Sequence, residues 1–123
     1  GHVRVYENNE GVWTQIGQDI DGEATDDRLG FSVSLSSDGS IVAIGAINND
    51  GNNEDAGHVR VYEYIDGTWT KIGQDIDGEA EEDYSGFSVS LSADGTIMAI
   101  SAPCNDESNE DAGQVRVYSL EKK

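Results

Sequence analysis

The stretch FSVSLSSDGSIVAIGAI at residues 31–47 decides how this chain folds. In its first half Phe31, Val33 and Leu35 alternate strictly with Ser32, Ser34 and Ser36, a period of two that specifies a β-strand. Its second half, residues 40–47, is apolar on both faces, as a strand covered on both sides must be. Between them stands Ser37-Asp38-Gly39, where Asp-Gly supplies the positive-φ positions of a tight hairpin. The two strands are therefore expected to be antiparallel neighbours.

The same stretch returns 56 residues later as FSVSLSADGTIMAISAP, part of a wider repetition. Residues 1–56 align with 57–112 without a gap, identical at 39 of 56 positions. Residues 113–123 add the first strand of a third unit and a short tail. A period near 50 residues is the mark of repeat architectures, propellers among them.

Two further strands complete the unit. HVRVYE places Val3 and Val5 on one side and His2, Arg4 and Tyr6 on the other. VWTQIGQDI follows the turn at Glu10-Gly11, which recurs as Asp66-Gly67. Four short strands linked by tight turns make one twisted antiparallel sheet. A sheet apolar on both faces needs another stacked on each side, and radial stacking of four-stranded sheets is a β-propeller. The expected fold is all-β.

Composition narrows the function. There are 25 acidic residues against 7 basic, a formal charge of −18. Such a surface argues against nucleic acid and anionic membranes as partners. The single cysteine, Cys104, excludes an internal disulfide framework. No apolar run is long enough to cross a bilayer, and no signal-peptide pattern opens the chain. The start at a repeat boundary fits a mature product or a fragment.

The run GFSVSLSSDGSIVAIGAINNDGNNEDAGHVRVYE and its partner GFSVSLSADGTIMAISAPCNDESNEDAGQVRVYS resemble the FG-GAP repeat. More closely, they are similar to the variant with a WTQIGQDIDGEA linker found in bacterial and algal surface proteins. Gly30-Phe31 and Gly86-Phe87 stand at the family's FG, with the order inverted. Ser101-Ala102-Pro103 stands at its GAP, and Gly45-Ala46-Ile47 in the first unit. The resemblance implies blades of an integrin-α-like propeller. It also implies an extracellular or cell-surface location. In the integrin type the loop between FG and GAP binds calcium through D-x-[DN]-x-D-G-x-x-D. Here that loop keeps one carboxylate, Asp38 or Asp94, too few for the six to eight oxygens calcium takes. Both are read as turn residues.

Two other loop pairs are rich in oxygen donors. Asp50, Asn52, Glu54 and Asp55, with Asp106, Asn109, Glu110 and Asp111, are the candidate calcium ligands. Residues 19–27 and 75–83 form the second pair. The alternative for all of them is solvated turns. His2, His58, Arg4, Arg60 and Arg116 share a polar face with Tyr6, Tyr62 and Tyr118. That row is either a ligand-binding surface or, as expected here, a set of arginines paired with carboxylates of a neighbouring strand or blade. Trp13 and Trp69 recur at one repeat position, where they either stack on a sugar or anchor one blade to the next.

No phosphate-cradling glycine loop, nucleophile elbow or Cys/His metal spacing is present in the sequence, so an enzyme is not expected. A blade cut from inside to outside runs FSVSLS, IVAIGAI, HVRVYE, WTQIGQDI. Residues 1–20 then supply two strands of one blade, 30–77 a whole blade, and 86–119 three strands of another. Such a chain is either a segment of a longer repeat array, a self-assembling ring, or an open filament. In a ring, residues 1–7 and 113–119 compete for one slot. The expected function is adhesion or recognition by a non-catalytic propeller segment, with calcium as the candidate cofactor and further copies of the repeat or a protein or glycan ligand as partners. The alternatives are a subunit of an extracellular fibre or sheath and an accessory carbohydrate-binding module.

Overall fold

The computed structural model describes residues 1–22, 29–47, 57–77, 85–102 and 114–119. Nine strands run through them: β1 (His2–Asn9), β2 (Val12–Asp21), β3 (Leu29–Leu35), β4 (Ile41–Ala46), β5 (His58–Ile65), β6 (Thr68–Asp77), β7 (Val89–Leu91), β8 (Ile97–Ala102) and β9 (Gln114–Ser119). They form three antiparallel sheets in the orders β1-β2, β3-β4-β5-β6 and β7-β8-β9. This is the blade cut expected from sequence: one whole blade flanked by two partial ones.

The hairpins follow from local chemistry. Glu10-Gly11 and Asp66-Gly67 take φ of 51° and 89°, and 50° and 83°, the pair of positive values that matches strand twist in a two-residue turn. The β3–β4 turn is built differently from expectation. Only Gly39 has positive φ there (76°), and Asp38 acts through its carboxylate instead. That carboxylate accepts from the Ser40 amide at 2.9 Å, the Ser40 hydroxyl at 2.7 Å and the Ser36 hydroxyl at 3.1 Å. Asp94 repeats the arrangement with Thr96 and Ser92. A five-residue corner with an Asx acceptor replaces the tight hairpin.

The central blade is covered on both faces, as the all-apolar β4 requires. Val42, Ile44 and Ala46 join Val5, Ile20, Leu29 and Trp69 in one core beneath the first sheet. Ile41 and Ala43 join Val59, Val61, Met98 and Ile100 in a second core against the third sheet. Backbones meet closely at the second contact: a Cβ on Gly45 would overlap the Gly86 carbonyl oxygen. The Ser32 hydroxyl donates to that same oxygen at 2.7 Å, and the Leu91 amide donates to Ser34 Oγ at 3.0 Å. The serines of β3 are therefore the interface side of that strand, and its apolar row Phe31, Val33 and Leu35 is exposed. Val33 and Leu35 face the side where the first sheet has only β1 and β2 among the described residues, while Phe31 stacks on Phe87, ring centroids 5.0 Å apart.

Ile41 and Ile97 occupy one repeat position, yet Ile41 is 1% exposed and Ile97 49%. Ile41→Ala should cost about 2–5 kcal/mol, as large-to-small changes in closed cores do, and Ile97→Ala under about 1 kcal/mol. Urea unfolding of the two variants measures this directly. Equal losses would contradict the stacking.

Candidate functional site

The outer strands carry the features that join blades. In β2 the register passes from Val3↔Ile20 to Val5↔Ile16, so Gly17, Gln18 and Asp19 stand against the single residue Arg4. β6 repeats this, with Gly73, Gln74 and Asp75 against Arg60. Each is a β-bulge, opened by a glycine at φ 72° or 73°. The bulge turns the aspartate onto the arginine across the ladder. Arg4 Nε and Nη2 donate to Asp19 at 3.0 and 3.2 Å, and Arg60 donates to Asp75 at 2.9 Å through both nitrogens. Gln15 adds a bond to Asp19, and Lys71 an ion pair to Asp75.

The rest of the first bulge grips the next blade. Trp69 of β6 lies over it, 3% exposed. Its indole N–H donates to the Ile16 carbonyl at 3.0 Å. The Gln18 carboxamide pairs with the Trp69 peptide like a neighbouring strand: it accepts from the Trp69 amide at 2.9 Å and donates to the Trp69 carbonyl at 2.9 Å. Gly17 makes room, since a Cβ there would stand 2.5 Å from the indole Cδ1. Tyr64 closes the other side, ring centroids 5.1 Å apart.

Among the described residues the same parts recur without partners at the first and third sheets. Trp13, the repeat counterpart of Trp69, is 65% exposed. Ile72, Gly73 and Gln74, the counterparts of the occupied socket, line an open cavity of about 490 Å³ with Met98, Leu91 and Tyr118. Among the described residues one tryptophan and one socket stand open.

Against this geometry the comparisons are specific. Residues 19–62 match the model of the FG-GAP repeat, a span reaching from the first bulge through β3 and β4 into β5. Residues 19–62 carry the pattern of an FG-GAP repeat. Comparison with curated proteins gives no match. The glycine before each phenylalanine lies against the preceding sheet. Gly30 sits over Val3 and the His2 carbonyl, and Gly86 over Val59 and the His58 carbonyl.

The other candidates fall into place around the blades. Arg4 and Arg60 pair with carboxylates of the adjacent strand, as expected, while Arg116 Nη1 lies 3.3 Å from the Tyr118 hydroxyl. His58 departs from the reading of an open polar row: it is buried, whereas His2 is exposed. Asp50, Asn52, Glu54, Asp55, Asp106, Asn109, Glu110 and Asp111 lie outside the described residues. Among the described residues, His2, Asp19 and Asp21 bring ligand atoms within 4.8 Å of one another, a group able to hold a metal ion. Both Asp19 oxygens already accept from Arg4, so a cation there would compete with the guanidinium. The Ile-Gly-Gln-Asp socket was missed by the sequence reading. Its signal was a glycine inside a strand pattern, which marks a bulge or a close backbone approach.

Electrostatics follow the same pairs. Burial pushes the Asp75 carboxyl up, but hydrogen bonds and charge from Arg60 and Lys71 outweigh it and hold its pKa at about 2. Asp19 is lowered by Arg4 and Gln15, Asp38 by Ser40 and Ser36. A depressed carboxylate stabilises the fold above its unfolded pKa of about 4, and that stability is lost as pH falls toward 2. Asp75→Asn should flatten this acid limb of stability against pH and cost about 1–3 kcal/mol at neutral pH. Trp69→Ala should cost about 3–5 kcal/mol and Trp13→Ala under about 0.5, both read by urea titration.

Proposed function

We propose that this FG-GAP segment is a non-catalytic recognition module, acting in adhesion outside the cell or at its surface. One observation carries the reading. The two repeat units differ at 17 positions, and 12 of these fall in residues 8–12, 25–29 and 47–52. Variation thus gathers at and beyond the strand ends, with Gln15, Val42 and Gly45 the differences inside strands, the pattern of a scaffold presenting different contact surfaces. The FG-GAP match supports a propeller-type repeat domain and, by the habit of the family, an extracellular setting. Among the described residues no helix is long and apolar enough to cross a membrane.

The test is binding to a glycan array and to immobilised extracellular proteins. Saturable binding should follow the varied segments: replacing residues 25–29 and 47–52 by their second-unit counterparts should alter it at least several-fold. Absence of binding to every glycan and protein would favour the structural-subunit reading. Glycan binding abolished by Trp13→Ala would favour the carbohydrate-module reading.

Calcium at residues 50–55 and 106–111 belongs to the same proposal. Millimolar calcium should raise the melting midpoint by several degrees, since a ligand bound at 100 times its Kd adds about 2.7 kcal/mol. A midpoint unchanged by calcium and by chelator would remove it.

A further inference from the structure

Two open sites on the described strands are complementary. The first sheet, β1-β2, covers Val42 and Ile44 but leaves Val33 and Leu35 of β3 exposed, while Phe31 stacks on Phe87, ring centroids 5.0 Å apart. One blade on, Val89 and Leu91 stand at the same repeat positions as Val33 and Leu35. They are half-buried, because there a sheet with its inner strands packs against them. Among the described residues the first sheet therefore holds the two outer strands of a blade, β1 and β2. The third sheet is the converse. Among the described residues no strand lies beyond β9, the Ile72-Gly73-Gln74 socket is open, and Val115 and Val117 are 66% and 67% exposed.

We propose that a second copy of this chain completes the third sheet by strand exchange. Its β1–β2 hairpin replaces β9 against β8 and seats its Trp13 in the Ile72-Gly73-Gln74 socket. The register permits this residue for residue. Residues 1–7 are identical to 57–63, which pair with β4 from Ala46↔His58 to Ile41↔Glu63. β9 pairs with β8 in the equivalent frame, from Ala102↔Gln114 to Ile97↔Ser119. The incoming hairpin thus reproduces every ladder pair that β9 gives up. It adds a fourth strand, the Trp13 indole and the Gln74 carboxamide pairing that Trp69 and Gln18 already show within one chain.

The same exchange serves the incoming copy. β7 and β8 of the first copy become the inner strands of its first blade and cover its Val33 and Leu35, as β3 and β4 cover Val89 and Leu91. Both open sites close in one step, head to tail. Each chain then holds one blade of its own and shares one at each junction. A ring of two to four copies has four to eight blades, the usual range for propellers. β9 is the internal competitor for the slot and sets the concentration at which assembly begins.

The inference rests on the blade architecture, not on the adhesion role, so a ligand-binding monomer would refute it while leaving that role intact. Light scattering behind size-exclusion chromatography of the full chain tests it. The expected result is concentration-dependent assembly to two, three or four times 13.2 kDa. Trp13→Ala and Gln74→Ala, both at exposed residues, should fold normally. Trp13→Ala should raise the assembly concentration roughly 30-fold, the loss of a buried tryptophan anchor. Excess synthetic peptide of residues 113–119 should suppress assembly. A monomer at every concentration, or an oligomer indifferent to Trp13→Ala and to the peptide, would overturn the proposal.

Discussion

The structure depends on one contact: the Trp69 side chain and peptide held over the bulge of β2. A β-sheet edge offers hydrogen bonds only in its own plane, so stacked sheets ordinarily meet through side chains alone. The bulge changes that. It frees the Ile16 carbonyl for the indole N–H and turns the Gln18 carboxamide toward a peptide of the next blade. Three directed bonds then fix the angle and register between two sheets that apolar packing would otherwise leave free to slide. Gly17 is needed twice over, for its positive φ and for the space the indole fills.

From this contact the layering follows. The outer strands are pinned by tryptophan, glutamine and glycine. The middle is filled from β4, buried from Ile41 through Ala46. On the inner side the sheets touch almost backbone to backbone through Gly45, Gly86 and the serines of β3. The blade contacts thus use three zones of different chemistry: the tryptophan zone joins the first and second sheets, the glycine–serine zone the second and third, and an apolar core fills both. The Arg–Asp pairs lie on the ladder within each blade and hold the bulge in shape. They act on the tryptophan contact through the backbone rather than by touching it.

Much of this was legible in the sequence, because strand period and repeat length are local properties. The alternation of residues 31–36 and the all-apolar run at 41–46 gave four strands per unit and their stacking. HVRVYE falls third in its sheet, and Trp69 is a blade anchor. Other features depend on what stands across the interface. The alternation of Phe31, Val33 and Leu35 with serine marks a strand, but which side is covered depends on the neighbouring sheet, and Ser32 and Ser34 are the contact side of β3. Asp-Gly at 38–39 was read through φ, whereas the carboxylate of Asp38 does the holding. The bulge was hidden because Ile16 and Ile20, four residues apart, keep the outward look of an unbroken alternation.

The most direct test is hydrogen exchange at the two indole N–H groups, resolved by nitrogen-labelled NMR in dilute solution. The Trp69 indole should be strongly protected, exchanging only when the blades separate, and the Trp13 indole should exchange at nearly the rate of a free side chain. Equal, rapid exchange at both would show that the bulge does not hold Trp69, and would contradict the account of how the blades are joined.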